Sequence, residues 1–531
     1  MTIVTRVWMA LALMLAAVLA DGSSTRADNP RRGGVLTVAL NAEPAHLFPP
    51  INPGANVLVP GTKMFDTLIE IGQGGTFVPR LAETWGSSED GKSYWFKIRD
   101  GVKFHDGKPL TAEDVAFSAK ELWAKENPFI RTAFSGLKDA TVRAPNTVVF
   151  EFSEPMPAAP VFGVLSGLAP VAPKHVYGSG DIRRNPAINV PVGSGPFKFK
   201  EWDRGNYVIV EKNPAYWDAG RPHLDQIVFK FVPDASARAA MIESGQADVT
   251  LFNALVHSEM KRLEATKRYQ FERTGNLGSL GVYVSELNLR RKELADPKVR
   301  EAISLAIDRQ FMARTIFEDM ARAASGPMPA TSPLFNKELN PFTFDKERAN
   351  KLLDEAGYSR GANGTRFSLT LDASSFVGAF RLMADYMKQA LQDVGIAVEI
   401  RKSDMVTMGR RVYNDYNFDM TITVMPMIVD PQVSTFNYFW SKTIRPGATQ
   451  SNVMNYRNDE MDSLIEQARR ELDAEKRKAQ IWQIQKIAAR DMPLIFLLDY
   501  DSMNIFSQRT RGIDGNPLWA IINWRDVWVT Q

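Results

Sequence analysis

In SYWFKI (Ser93 to Ile98) the apolar residues Tyr94, Phe96 and Ile98 recur at every second position, which places them on one face. A period of two belongs to a half-buried strand, and the preceding Ser-Ser-Glu-Asp-Gly turn makes ETWGSSEDGKSYWFKIRDGVKFHDGKPL a hairpin. NTVVFEF (Asn146 to Phe152) predicts a third strand, after a helix near 112 to 125. GGVLTVAL (Gly33 to Leu40) reads as a buried strand that runs into the irregular loop AEPAHLFPP, a kind of segment that carries function more often than strands do. Gly, Asn and Pro breaks divide Gly193 to Val232 into three strands. The next segment, ARAAMIESGQADV, is a helix capped by Asp234 or Ser236, with Gly245 at its C-terminal cap. Beyond Gly281 the pattern shifts to long helices alternating with strands. DPKVREAISLAIDRQFMARTIF starts with Asp296 as cap and Pro297 at the first helical position, and FDKERANKLLDEAGY is a capped helix closed by Gly357. RFSLTLDA, FRLMADYMKQALQDVG and IAVEIRK then form a β-α-β unit, the signal of a parallel sheet. PLIFLLDYDSM returns to strand character. There is no internal repeat or low-complexity tract.

A chain of 531 residues exceeds what one hydrophobic core organises, so two or more lobes are expected. Lys plus Arg total 64 against 61 Asp plus Glu, which gives no electrostatic case for nucleic acid. At the N-terminus Arg6 precedes the uncharged run VWMALALMLAAVLA and then a polar segment, the pattern of a secretory signal peptide. Cleavage after Ala20 or Ala27 fits small-residue rules, and Ala27 is preferred, leaving Asp28 as the mature terminus. The run is short for a membrane span, and no other segment approaches the roughly 20 apolar residues that a span needs. The absence of cysteine excludes disulfides, thiolate metal sites, cysteine nucleophiles and a lipidated cysteine anchor. An exported chain without tether or span is placed free in a periplasm. The competing expectation is an uncleaved N-terminal anchor.

Candidate chemistry narrows quickly. His105 beside Asp106, followed by Glu113 and Asp114, has the residue types of an acid-base cluster. However, His-Asp-Gly-Lys-Pro is a turn, and Thr111 stands three residues before Asp114, a capping-box spacing. The structural reading is therefore favoured. The five histidines, His46, His105, His175, His223 and His257, never fall at metal-ligand spacing. The chain also lacks a G-x-S-x-G elbow and a G-x-x-x-x-G-K-[ST] loop, and GSGPF is a strand-entry turn. No catalytic residue, metal or cofactor is expected.

Read together, LAETWGSSEDGKSYWFKIRDGVKFHDGKPLTAEDV, GSGPFKFKEW, NPAYWDAGRPHLDQIVFKFV, ESGQADV, DPKVREAISLAIDRQ and ANKLLDEAGY resemble, in order, the family 5 extracellular solute-binding proteins, the peptide, oligopeptide and nickel type that serves ABC importers. The resemblance implies an α/β, two-lobed periplasmic-binding-protein fold (type II, clamp-like) with an extra subdomain in the first lobe. It implies a signal peptide at 1–27, lobe I at 28–283 with the extra subdomain at about 65–190, lobe II at 284–495, and a return to lobe I at 496–531. The expected crossings are VYVSELN (Val282 to Asn288) and PLIFLLDYD (Pro493 to Asp501). The implied partners are a small-molecule or peptide ligand and the ABC transporter's inner-membrane permease, and the protein is expected to be a monomer.

Peptide binders of this kind usually hold the ligand's amino group with an acid in a Gly-Trp-x-x-Asp loop. In FDMTITVMPMIVDPQVSTFNYFW, Met425 takes the Trp position and Ile428 or a gap takes the acid's, while Asp430 matches a following Asp-Pro. The carboxylate-pairing Arg of dipeptide binders is replaced by Ser374 or Ser375. Both losses weaken the case for a simple peptide, because a buried ammonium needs a partner. Met425, Met427, Phe436, Tyr438 and Trp440 then predict an apolar, adaptable wall, faced by His46, Leu47 and Phe48 from the first lobe. Each of these residues has a plain alternative as core. Asn288 serves either a ligand backbone or the hinge. A peptide without a free terminus, an oligosaccharide, an opine-like conjugate and a metal chelate stay open as ligands, the nickel chelate least favoured for want of an imidazole. An exported hydrolase and a periplasmic chaperone are the competing function classes.

Overall fold

The computed structural model describes residues 29–530, save 53, 73–74, 274–279, 375–377, 501, 514–515 and 517. The expected signal segment and Ser375 lie outside the described residues. Two large sheets organise the rest. The first has seven strands centred on Val35–Leu40, which runs parallel to Gln226–Phe231 and to Val249–Thr250. Tyr207–Lys212 and Phe197–Asp203 extend one side antiparallel, and Asn504–Ser507 and Tyr269–Glu272 extend the other. The second has six strands, among them Phe367–Ser374, which is parallel to both Ile396–Ser403 and Met420–Met427 through crossover helices. The expected hairpin is present as Ala82–Ser87 and Ser93–Ile98. With Thr147–Phe152 and Leu137–Ala144 it makes a separate four-stranded antiparallel sheet in the extra subdomain.

Leu280–Glu286 and Leu494–Tyr500 pair with each other and, through the first of them, with Met420–Met427, all inside the second sheet. Sheet membership therefore changes between Glu272 and Leu280 and between Tyr500 and Asn504. The long apolar runs of both segments reflect burial on both faces of a central strand. One expectation needs correction. The segment from Asp296 is two helices, Pro297–Leu305 and Arg309–Ile316, because Asp308 caps the second one, accepting from Phe311 N at 2.9 Å. Asp234, not Ser236, caps Ala235–Glu243 through Ala237 N at 2.7 Å, and Gly245 follows at φ +74°.

The extra subdomain has no core of its own. One apolar cluster runs from Leu36 and Phe229 in the first sheet through Phe65 and Leu68 to Phe96, Trp123 and Phe150 in the subdomain. The C-terminal return is fastened to the same region by buried polar groups. Lys63 Nζ donates to the Ala520 carbonyl at 3.1 Å and lies 4.0 Å over the Trp524 ring. Asp66, 1% exposed, accepts from Asn523 Nδ2 at 2.7 Å, Tyr216 OH at 2.9 Å, Trp217 Nε1 at 3.0 Å and Ser194 Oγ at 3.2 Å. Four donors converging on one carboxylate tie segments far apart in the chain to one point, and a neutral amide offers them a single acceptor oxygen. Asp66→Asn therefore lowers unfolding free energy by about 2–4 kcal/mol in urea titrations, and a loss below about 0.5 kcal/mol would contradict this assignment.

Candidate functional site

In open α/β sheets the ligand crevice lies outside the carboxyl ends of the parallel strands. Those ends are Leu40, Phe231 and Thr250 in the first lobe and Ser374, Ser403 and Met427 in the second. The loop after Met427 reaches across the seam. Ile428 and Val433 join the first lobe's apolar cluster, and Gln432 Nε2 donates to Met156 Sδ at 3.2 Å. A Cβ added at Gly163 would come within 3.2 Å of Val429, so the subdomain approaches this loop where a side chain is missing. Val429 itself sits at φ +49°, a strained conformation for a β-branched residue.

Asp430 holds this loop. Its two carboxylate oxygens accept from Arg477 at 2.7 and 2.8 Å, with the pair almost wholly buried, and Oδ1 also accepts from Gln432 N at 2.9 Å. Burial alone would lower the Arg477 pKa, but Asp430 outweighs it and raises it. Arg477 Nε donates to the Ala468 carbonyl at 2.9 Å. One guanidinium thus fixes both the seam loop and the end of the helix Asp459–Ala468.

Just beyond that helix end a crevice of about 910 Å3 opens between the extra subdomain and the second lobe. Phe129 and Arg131 wall it from the first side, and Trp440, Lys442, Arg445 and Arg469 from the second. A neighbouring cavity of about 310 Å3 shares Trp440, Lys442 and Arg469 and adds Glu154, Glu466 and Arg470. Arg469 NH2 donates to Ser135 Oγ across the seam at 2.8 Å, its guanidinium lies 4.8 Å from the Trp440 ring centre, and Arg470 pairs with Glu154 at 2.6 Å. These dimensions suit a small-solute site.

Of the sequence-predicted residues, Trp440 lies on these walls. Met425, Met427, Phe436 and Tyr438 are at most 2% exposed and form part of a second-lobe apolar cluster. Leu47 and Phe48 are buried in the first lobe, where Leu47 N donates to the Ile188 carbonyl at 2.8 Å and Phe48 stacks on Tyr177 at 4.2 Å. His46, half-buried, accepts from Phe48 N at 3.1 Å, and burial followed by the charge of Arg183 lowers its pKa. Asn288 braces the second lobe, donating to the Phe418 and Tyr416 carbonyls at 2.8 and 3.1 Å. Ser374 is buried beside Ser403 at the strand ends. The structure therefore does not gather the predicted residues around one space. Phe129, Arg131, Lys442, Arg445 and Arg469 were missed because they come from distant segments without a motif, and each reads locally as an ordinary surface residue.

His105 and Asp106 have the structural roles expected of them. His105 Nε2 lies 3.1 Å from the Gly195 carbonyl, and burial lowers its pKa to about 4. Asp106 meets His175 at 2.6 Å. Asp114 and Thr111 complete the capping box, with Thr111 N donating to the carboxylate at 2.9 Å.

The bacterial extracellular solute-binding proteins, family 5 middle, have a family model that matches residues 76–446. The chain belongs to this family. It is 27% identical to the oligopeptide-binding protein AppA of Bacillus subtilis, over 99% of this chain and 98% of that one. It is 28% identical to the glutathione-binding protein GsiB of Salmonella typhi, over 81% and 82% respectively. The structure of Bacillus subtilis AppA in complex with a nonapeptide superposes with a TM-score of 0.80 at 25% identity, covering 94% of this chain and all of that one. The two-lobed fold of the family is thereby shared, and no helix among the described residues is long and apolar enough to cross a membrane.

Within this family member the aspartates buried in the second lobe are already engaged inside the lobe. Asp372 meets Arg401 and Arg411, Asp419 meets Arg291 and Thr370, Asp430 meets Arg477, and Asp499 accepts from Ala330 N. Glu286 accepts from Thr421 Oγ1 at 2.9 Å and from Tyr413 OH at 3.4 Å, and burial pushes its pKa up to about 7.

Two measurements check these assignments. Asp430→Asn, which leaves Arg477 buried beside a neutral group, costs about 3–5 kcal/mol in denaturant titrations, whereas the double variant Asp430→Leu/Arg477→Met recovers most of the loss. A single-variant loss under about 1 kcal/mol would remove the pair from its anchoring role. Glu286 is easier to protonate in the folded than in the unfolded chain, so the native state binds the extra proton and stability falls as pH rises from the ordinary 4.5 to about 7. Glu286→Gln flattens that stretch of the stability-pH curve, and an unchanged slope would refute the assignment.

Proposed function

We propose that this chain is the exported binding component of an ABC importer, working as a monomer free in the periplasm after residues 1–27 are removed. It captures a peptide-like or other small solute between its lobes and delivers it to the inner-membrane permease, with no chemistry on the solute. The observation that carries this reading is the crevice of about 910 Å3 walled from both lobes, since a ligand touching both walls stabilises their approach. Trp440 is the proposed stacking contact.

The names of AppA and GsiB favour a peptide-like solute. A non-peptide solute, such as an oligosaccharide, an opine-like conjugate or a metal chelate, is the second reading. It is favoured by Asp430, which is closed off by Arg477 and leaves that acid unavailable to a ligand's ammonium.

Native mass spectrometry of the mature protein from its own periplasm tests the proposal. The expected spectrum shows a one-to-one complex that releases a discrete solute or a ladder of peptides on denaturation. Trp440→Ala weakens its recapture about tenfold, the scale of one aromatic contact. Protein that emerges empty and binds neither a peptide digest nor periplasmic extract would sink the reading.

A further inference from the structure

The large crevice has an unbalanced wall. It carries Arg131, Lys442, Arg445 and Arg469, while no Asp or Glu lines it among the described residues. The nearby carboxylates compensate this unequally. Lys442 pairs with Glu466 at 2.6 Å. Arg131 donates to the Lys125 carbonyl at 3.1 Å, a neutral acceptor. Arg445 forms no ion pair among the described residues. Arg469 gives one amine to Ser135 and stacks on Trp440, but its NH1 is buried without a partner. A buried guanidinium donor left unsatisfied at a cleft wall is expensive, and an arginine fork matches the two oxygens of a carboxylate or phosphate. Cations from both sides of a seam also repel one another unless something anionic lies between them.

We infer that this crevice takes the solute by an oxyanion, a carboxylate or phosphate group held by Arg469 and Arg445, with Arg131 closing on it from the extra subdomain and the adjoining apolar part lying on Trp440 and Phe129. The inference rests on the capture reading above and names its solute class as anionic. The recognition element is arginine on the second lobe facing the subdomain, so the extra subdomain supplies one jaw of the site.

Isothermal titration of the ligand-stripped mature protein tests this with the C-terminal amides of tri-glutamate, of a phosphoserine-containing tripeptide with no other acidic residue, and of tri-glutamine, at constant ionic strength, so that the tri-glutamine probe carries no carboxylate. Stoichiometric binding of either anionic probe at least tenfold tighter than tri-glutamine supports the inference, and the better of the two identifies the oxyanion. Arg445→Gln, an exposed change that leaves the fold intact, and Arg469→Gln each reduce that binding about tenfold, while Arg445→Lys retains part of it. Equal binding of tri-glutamine, or full binding by both glutamine variants with unchanged melting temperatures, overturns it. If none of the probes binds but native mass spectrometry still releases a solute from the wild-type protein, the anionic class is wrong and the capture reading stands. If no solute is released either, both fall.

Discussion

The ion pair between Asp430 and Arg477 is the constraint on which the seam between the lobes depends. It is bidentate and buried, so its geometry tolerates little displacement. From that pair Ile428 and Val433 project into the first lobe's apolar cluster, and Val429 is held at a strained positive φ against Gly163. Backbone strain of this kind persists where the surroundings over-determine it. Here the surroundings are a guanidinium on one side and a helix backbone without a side chain on the other. The same guanidinium reaches the Ala468 carbonyl, which places Arg469 at the crevice wall. A structural ion pair thereby fixes the position of a recognition residue that it does not touch.

The second dependence is on the extra subdomain. Its strands share an apolar cluster with the first lobe, so the subdomain is packed as part of that lobe. Contacts that the second lobe makes with it, Arg470 with Glu154 and Arg469 with Ser135, are then contacts between lobes. The opposite edge of the seam is held differently, by His257 packed edge-on to Phe317 at 4.8 Å and Lys261 paired with Glu318 at 3.3 Å. The Lys261–Glu318 pair is exposed and cheap to break and re-form.

Periodicity and caps made the strands, the hairpin and the β-α-β unit legible, because each depends on neighbours within a few residues. The lobes' approximate extents followed from the family resemblance. The crevice wall was legible at one residue. Trp440 was named because its segment aligned with the family's ligand loop, yet the neighbouring Met425, Met427, Phe436 and Tyr438 are core, an apolar stripe serving packing before recognition. Arg131, Arg445 and Arg469 come together through the contact of two lobes, and nothing in their local sequence records that contact.

That convergence couples recognition to lobe approach. Cations that line one crevice from two bodies repel one another the more closely they approach, and Arg131 lies on the wall opposite Arg445 and Arg469. An oxyanion bound to one wall alone gains one or two charge-assisted hydrogen bonds. Bound between both walls it gains all of them and removes the repulsion as well, a difference in affinity between separated and apposed lobes that is the requirement for a ligand to shift such an equilibrium. The charge imbalance at the seam therefore serves as the element that makes the apposed state conditional on a solute, while Asp430 and Arg477 ensure that the second-lobe wall is already in place when the solute arrives.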